Sequence, residues 1–131
     1  MQVGNESGSE LVLRQLAKGF GREQVEETLK LLAEAQLSFT CFLLLGGPGE
    51  TPESVRESVA FLEAYHPLMV NLTVGVRIYP GLPLHKIAIA EGLVEPDDSL
   101  LWPKFYLAPA VREWIWEYLE EVSARHPQWI F

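Results

Sequence analysis

A glycine-rich turn links an apolar run to a helix-initiating pair, a place where parallel α/β proteins bind ligands. The turn is Gly-Gly-Pro-Gly-Glu at positions 46–50, residues 38–45 are the apolar run, and Thr51-Pro52 follows. Glycine lets backbone amides approach a ligand, and a helix N-terminus favours negative charge. A tight turn with a good N-cap needs the same residues, and no lysine follows at phosphate-loop spacing. The residues by themselves favour the plain turn.

Two charged positions carry further candidate chemistry. Glu6 follows the predicted first strand, in the same topological position as the glycine turn, and a carboxylate there can accept hydrogen bonds from a ligand hydroxyl pair such as that of a ribose. The alternative, which the residues favour, is a solvated acid stabilised by a helix dipole. Arg77 lies on the non-aliphatic face of an alternating segment, 70–79. Because an unpaired buried guanidinium is costly, Arg77 indicates either a polar cavity or a carboxylate-bearing partner. A structural ion pair is the alternative, and both interpretations stay open.

The single cysteine and the three histidines are predicted to carry no chemistry. Cys41 stands in the middle of the apolar run, where a buried inert thiol is expected. One cysteine forms no internal disulfide and cannot supply a Cys-only metal or iron–sulfur site. His66, His85 and His126 are scattered without ligand spacing, so we assign none of them to a metal.

Composition bounds the class of protein. The 131 residues fit one domain, and 48% hydrophobic residues are ordinary for a globular chain. The net charge of −8 argues against binding to nucleic acid and to anionic membranes. No apolar run approaches the roughly 20 residues that a membrane span needs. The N-terminus lacks the pattern of a signal peptide, so we expect a reducing cytoplasm.

Helical and strand periods alternate along the chain. Helices are predicted over 9–18, from about 25 to 35, from 52 to about 65, over 84–91 and from about 109 to 125. Strands are predicted at the start (2–4), at 38–45 and over 70–79, and residues 93–108 are expected to be irregular. The aromatic side chains between Trp102 and Tyr118 are expected to pack, and Trp129 to Phe131 to form an apolar tail.

This order predicts an α/β fold with a parallel sheet. One face of 70–79 is aliphatic and the other small, polar or charged, which is typical of a barrel wall whose polar side faces a cavity. We therefore predict a fragment of a (β/α) barrel with about three parallel strands, flanking helices and a C-terminal helical extension. Both ends of the sequence suggest a piece cut from a longer chain.

Several short motifs follow one another along the chain: Gly4-Asn5-Glu6-Ser7-Gly8-Ser9, Leu13, Lys18-Gly19, the run from Leu43 to Thr51, the run from Arg77 to Leu84, Ala88 and Glu91-Gly92. Taken in this order, they resemble the second half of a radical S-adenosylmethionine (radical SAM) domain. The resemblance is strongest to members that contain a cobalamin-binding domain, which often continue with a stretch like residues 100–106.

The resemblance implies a partial (β/α)6 barrel, of which residues 1–92 would supply the end of the fourth strand and the fifth and sixth strands. Residues 93–131 would be an extension packed on it. The family uses a [4Fe–4S] cluster to cleave S-adenosylmethionine (SAM) reductively, which gives a 5′-deoxyadenosyl radical that abstracts hydrogen from the substrate.

The resemblance also implies roles for individual residues. Glu6, with Ser7 beside it in the motif, would contact the ribose hydroxyls, and Lys18 would approach the methionine carboxylate. Backbone around Leu44, Gly46 and Gly47 would form part of the adenine pocket. Arg77 would flank adenine or substrate. No catalytic residue and no metal ligand is implied in this chain.

The sequence departs from the family because its cluster-binding CxxxCxxC motif is absent, and Leu82 stands where threonine is common. We therefore expect a chain that is inactive alone, with SAM and the cluster held by the full-length protein and with cobalamin use left open. Expected partners are the missing N-terminal half-barrel and, through an unpaired strand edge, a second copy of the chain. The alternatives are a non-enzymatic α/β domain that binds a partner subunit and a nucleotide- or phosphosugar-binding piece of another barrel.

Overall fold

The computed structural model describes residues 2–4 and 22–131. The helix predicted over 9–18 lies outside the described residues. The strands are β1 (Gln2–Gly4), β2 (Thr40–Leu45), β3 (Met69–Val74), β4 (Val76–Arg77), β5 (Phe105–Tyr106) and β6 (Trp129–Ile130). The helices are α1 (Arg22–Glu34), α2 (Pro52–Glu63), α3 (Pro83–Ala90) and α4 (Ile115–Arg125).

The main sheet is parallel throughout, with the strand order β1-β2-β3-β6. Cys41 pairs with Val3 on one side and Val70 on the other, so β2 is a central strand. The predicted α/β class and its parallel sheet are confirmed. The sheet has a fourth strand, β6, because Trp129 pairs with Val70, whereas the sequence analysis took this end of the chain for an apolar tail.

The two faces of the sheet differ as the alternation in 70–79 predicts. Cys41, Leu43 and Leu45 of β2 are buried in one cluster with the inward side chains of α1, α2 and α4. On the opposite face Phe42 is 42% exposed and Thr73 is exposed. One side of the sheet is therefore the core, and the other is an open face with polar and apolar side chains.

The prediction of one continuous strand over 70–79 is wrong, because the strand breaks at Gly75. That residue has φ +88°, a conformation that favours glycine. The chain then enters β4, which pairs antiparallel with β5 in a separate two-stranded sheet. Residues 93–108, expected to be irregular, therefore contain a strand.

The C-terminal region also corrects two expectations. Helix α4 begins at Ile115, and residues 109–114 form turns where a helix was predicted. The aromatic side chains of this region do not all pack, since Trp102 is 80% exposed and Phe105 is 60% exposed while Tyr106 is buried.

A cluster of polar and aromatic contacts fastens β6 beside β3. His126 Nε2 lies 2.7 Å from Glu63 Oε1 at the end of α2, and Arg125 Nη2 lies 3.4 Å from the same oxygen. The His126 ring stacks on Trp129 with the ring centroids 4.5 Å apart. The expected self-association stays a prediction, although β3 is now paired on both sides.

We expect Trp129→Ala to lower the free energy of unfolding by about 3–5 kcal/mol, because it empties a site that is 3% exposed. Trp102→Ala removes the same side chain from an exposed site and should change the free energy by less than about 0.5 kcal/mol. Urea denaturation of both variants measures the difference, and equal losses would mean that β6 does not dock as described.

Candidate functional site

The turn after β2 lies at the carboxyl edge of the sheet. Gly46 and Gly49 have φ +89° and +82°, and the Glu50 amide donates to the Gly47 carbonyl at 3.0 Å. Gly47 is buried and Leu44 is half-buried. The favoured interpretation, a tight turn leading into an N-capped helix, therefore describes the local geometry.

The helix after the turn is capped as predicted. Thr51 is the N-cap of α2, with Pro52 at its first position. The Ser54 amide donates to Thr51 Oγ1 at 3.2 Å, and the Thr51 amide donates to Ser54 Oγ at 2.9 Å, which completes a capping box.

Glu50 is the residue that the sequence analysis missed, since it was named only as the end of the turn. It is 1% exposed, and its carboxylate accepts the Gly46 amide at 3.2 Å and the Ser54 hydroxyl. Burial raises the pKa of Glu50, and the hydrogen bonds from Ser54 and Gly46 partly oppose that shift. The sequence did carry a signal for this role, because Glu50 stands directly between the glycine turn and the N-cap Thr51.

A second segment crosses the carboxyl edge and covers the turn. Residues 104–108, which we call the strap, include β5. The Ala108 amide donates to the Gly46 carbonyl at 2.8 Å, and the Ile78 amide donates to the Lys104 carbonyl at 2.8 Å. A Cβ on Gly46 would lie 2.3 Å from Leu107 Cδ1. Both backbone polar groups of Gly46 are thus used within the chain.

Arg77 is exposed near the same edge. Its guanidinium lies 4.9 Å from the centre of the Tyr79 ring, and Phe105 is its neighbour on β5. No ion pair to Arg77 is seen among residues 22–131, so within the described part of the chain its charge is left for solvent or a ligand.

The structure brings some of the predicted site residues to one edge. Leu44, Gly46 and Gly47 lie at the end of β2, and Arg77 lies two residues beyond Gly75. The Gly75 amide nitrogen is 3.5 Å from the position of a Cβ on Gly46. The other three, Glu6, Ser7 and Lys18, lie outside the described residues, although β1 runs parallel to β2 towards this edge.

The residues of this chain do not fit an iron–sulfur cluster. Cys41 is fully buried in the central strand, and burial raises its pKa to about 11, which disfavours the thiolate that iron needs. No group of three His, Cys, Asp or Glu side chains that could hold a metal ion occurs in the described ranges.

A cleft of about 520 Å³ lies at the opposite, amino edge of the sheet, where His66 and His126 line it together with Trp129. Of the predicted site residues that the structure describes, Leu44, Gly46, Gly47 and Arg77, none lines this cleft. No helix in the described ranges is long and apolar enough to cross a membrane.

Comparison with known proteins finds similarity to a solved radical SAM methyltransferase. One structure of TsrM from Kitasatospora setae, with cobalamin and a [4Fe–4S] cluster bound, is 29% identical over 70% of this chain, with a TM-score of 0.56. Another, with tryptophan substrate and the SAM analogue aza-SAM bound, covers 98% of this chain at 20% identity, with a TM-score of 0.71. The matched regions span 17% and 32% of those chains.

These matches show that the chain has the fold of one part of a radical SAM methyltransferase. No family model matches the sequence, and no curated protein matches it significantly.

Replacing Glu50 by glutamine should change how stability depends on pH. Because the pKa of Glu50 is raised in the folded state, the protonated carboxyl stabilises the fold. This stabilisation is fully present at a pH below the pKa of an ordinary glutamate, and it is lost as the pH rises through the pKa of the folded state. Glutamine has no such loss, so the stability advantage of the wild type over Glu50→Gln should shrink between about pH 4 and pH 7.

Urea denaturation at the two pH values measures this difference. Glu53→Gln, an exposed position in the first turn of α2, is the matched control and should retain the wild-type trend. A constant difference between wild type and Glu50→Gln would contradict the burial of this carboxylate.

Proposed function

We propose that this chain is part of a radical SAM enzyme and that its carboxyl sheet edge forms part of the SAM pocket and of the substrate wall. The observation that carries the proposal is the 29% identity to TsrM over 70% of the chain on a shared fold. The motifs from Leu43 to Thr51 and from Arg77 to Leu84, which carry the resemblance, lead to this same edge.

The cofactors of such an enzyme would be shared with other parts of a longer protein. Reductive cleavage of SAM is the chemistry that a [4Fe–4S] cluster supplies, and three thiolates would have to come from outside this sequence, which has one cysteine. TsrM binds cobalamin as well as the cluster. Cobalamin in this enzyme would likewise be held by residues that this chain does not contain.

The contribution of this chain would be binding and orientation. Asn71 and Thr73 on the open face, with the half-buried Leu44, would line the inside of the barrel wall. The exposed Arg77 would hold a carboxylate of SAM or of the substrate, because a guanidinium pairs with carboxylates in a fixed geometry. Glu6, Ser7 and Lys18 would complete the nucleoside and methionine contacts from the β1 side.

Titration of the chain with SAM, followed by two-dimensional amide NMR, tests the proposal. Affinity should be weaker than about 1 mM, or about 4 kcal/mol, because half of the pocket is missing. The shifts should centre on Leu44, Gly47 and Arg77, and Arg77→Gln should reduce them. Lys86→Gln, which removes an exposed cation from α3, should leave them unchanged.

Two outcomes would contradict the proposal. Shifts centred on His126 and Trp129 would place any binding at the amino-edge cleft. Shifts unchanged by Arg77→Gln would remove the carboxyl edge from SAM recognition. Either result would favour the interaction-domain alternative.

A further inference from the structure

We infer that the strap is a built-in wall of the carboxyl-edge site and that Leu107 sets the depth of this site by filling the space over Gly46. That a ligand binds at this edge, and which ligand it is, rests on the proposed function. The seating of the strap rests on contacts within this chain.

Two glycines make room for the strap. Gly46 and Gly75 end β2 and β3 at the same edge, with φ +89° and +88°. A Cβ on Gly46 would lie 2.3 Å from Leu107 Cδ1, so the end of the Leu107 side chain would have to shift. A Cβ on Gly75 would lie 3.3 Å from the Tyr106 carbonyl oxygen. Positive φ favours glycine at both positions, and contact with the strap adds to that preference.

The strap is held firmly enough to act as a wall. Tyr106 is 1% exposed and pairs with Val76, so it anchors the middle of the strap in the core. The Ala108 amide donates to the Gly46 carbonyl at 2.8 Å, and Arg112 Nη2 donates to the Leu107 carbonyl at 3.2 Å. The Leu107 carbonyl and the residues on both sides of Leu107 are thus held in place.

Two other glycines have a similar backbone conformation but no neighbour above them, and they serve as a comparison for Gly46. Gly81 and Gly92 also have positive φ, +78° and +74°, but nothing lies within 4 Å of a Cβ built on either. At those positions glycine serves backbone conformation alone. At Gly46 a side chain would be strained by the positive φ and would also displace the end of Leu107, so a ligand at this edge would meet the Leu107 side chain before the Gly46 backbone.

A double-mutant cycle in the chain tests the seating. Gly46→Ala should lower the folding equilibrium constant about tenfold more than Gly92→Ala, which carries the strain of positive φ without the clash. In a Leu107→Ala background the two glycine substitutions should cost the same within about a factor of two. Urea denaturation gives each constant.

The cycle stays decisive if Gly46→Ala fails to fold. Cooperative unfolding should then return in the Gly46→Ala/Leu107→Ala double variant, and its failure to return would overturn the inference. Additive effects of the two substitutions would overturn it as well, whatever the chain binds.

The SAM titration of Leu107→Ala tests the role of the strap as a wall. Shortening Leu107 should extend the ligand-induced shifts to the Gly46 amide. Shifts identical to those of the wild type would overturn the assignment of Leu107 as a depth-setting residue, while the proposed function is judged separately by the effect of Arg77→Gln.

Discussion

The buried carboxylate of Glu50 is the constraint around which the carboxyl edge is arranged. A carboxylate that is 1% exposed must have hydrogen-bond partners, because an unpaired buried charge is costly. Its partners are the Gly46 amide at the end of β2 and the Ser54 hydroxyl in the first turn of α2. One side chain therefore fixes where the strand ends, how the turn closes and where the helix begins, and it presents the Gly46 carbonyl to Ala108 of the strap.

Some groups at the carboxyl edge are used within the chain, and others are left for a ligand. The polar backbone groups of Gly46 are used for internal support, whereas Arg77 forms no ion pair within residues 22–131 and contacts only the Tyr79 ring among the described interactions of its guanidinium. In the proposed function this edge would orient SAM and substrate, while the cluster would be held by other parts of the enzyme. The fold is shared with one part of TsrM, and the open face carries polar and apolar side chains.

Local signals in the sequence predicted the parts of the fold that local interactions determine. Thr51-Pro52 marked the start of α2, and the alternation after Val70 gave the correct faces of β3. The two-residue strands β5 and β6 were missed because so short a strand forms only by pairing with residues that are distant in the sequence. Tyr106 pairs with Val76, and Trp129 pairs with Val70. The role of Glu50 was missed for a related reason, since its burial depends on the chain around it.

Hydrogen exchange at three amides tests the central claim most directly. The amides of Gly46, Gly75 and Ala108 donate to Glu50, to the Leu45 carbonyl and to the Gly46 carbonyl, so they join turn, sheet and strap in one unit. Under conditions where exchange reports the opening equilibrium, all three should share one opening free energy, well above that of the exposed Leu101 amide. Exchange of Ala108 as fast as that of Leu101, with Gly46 still protected, would show that the strap is not part of the unit and would contradict this account.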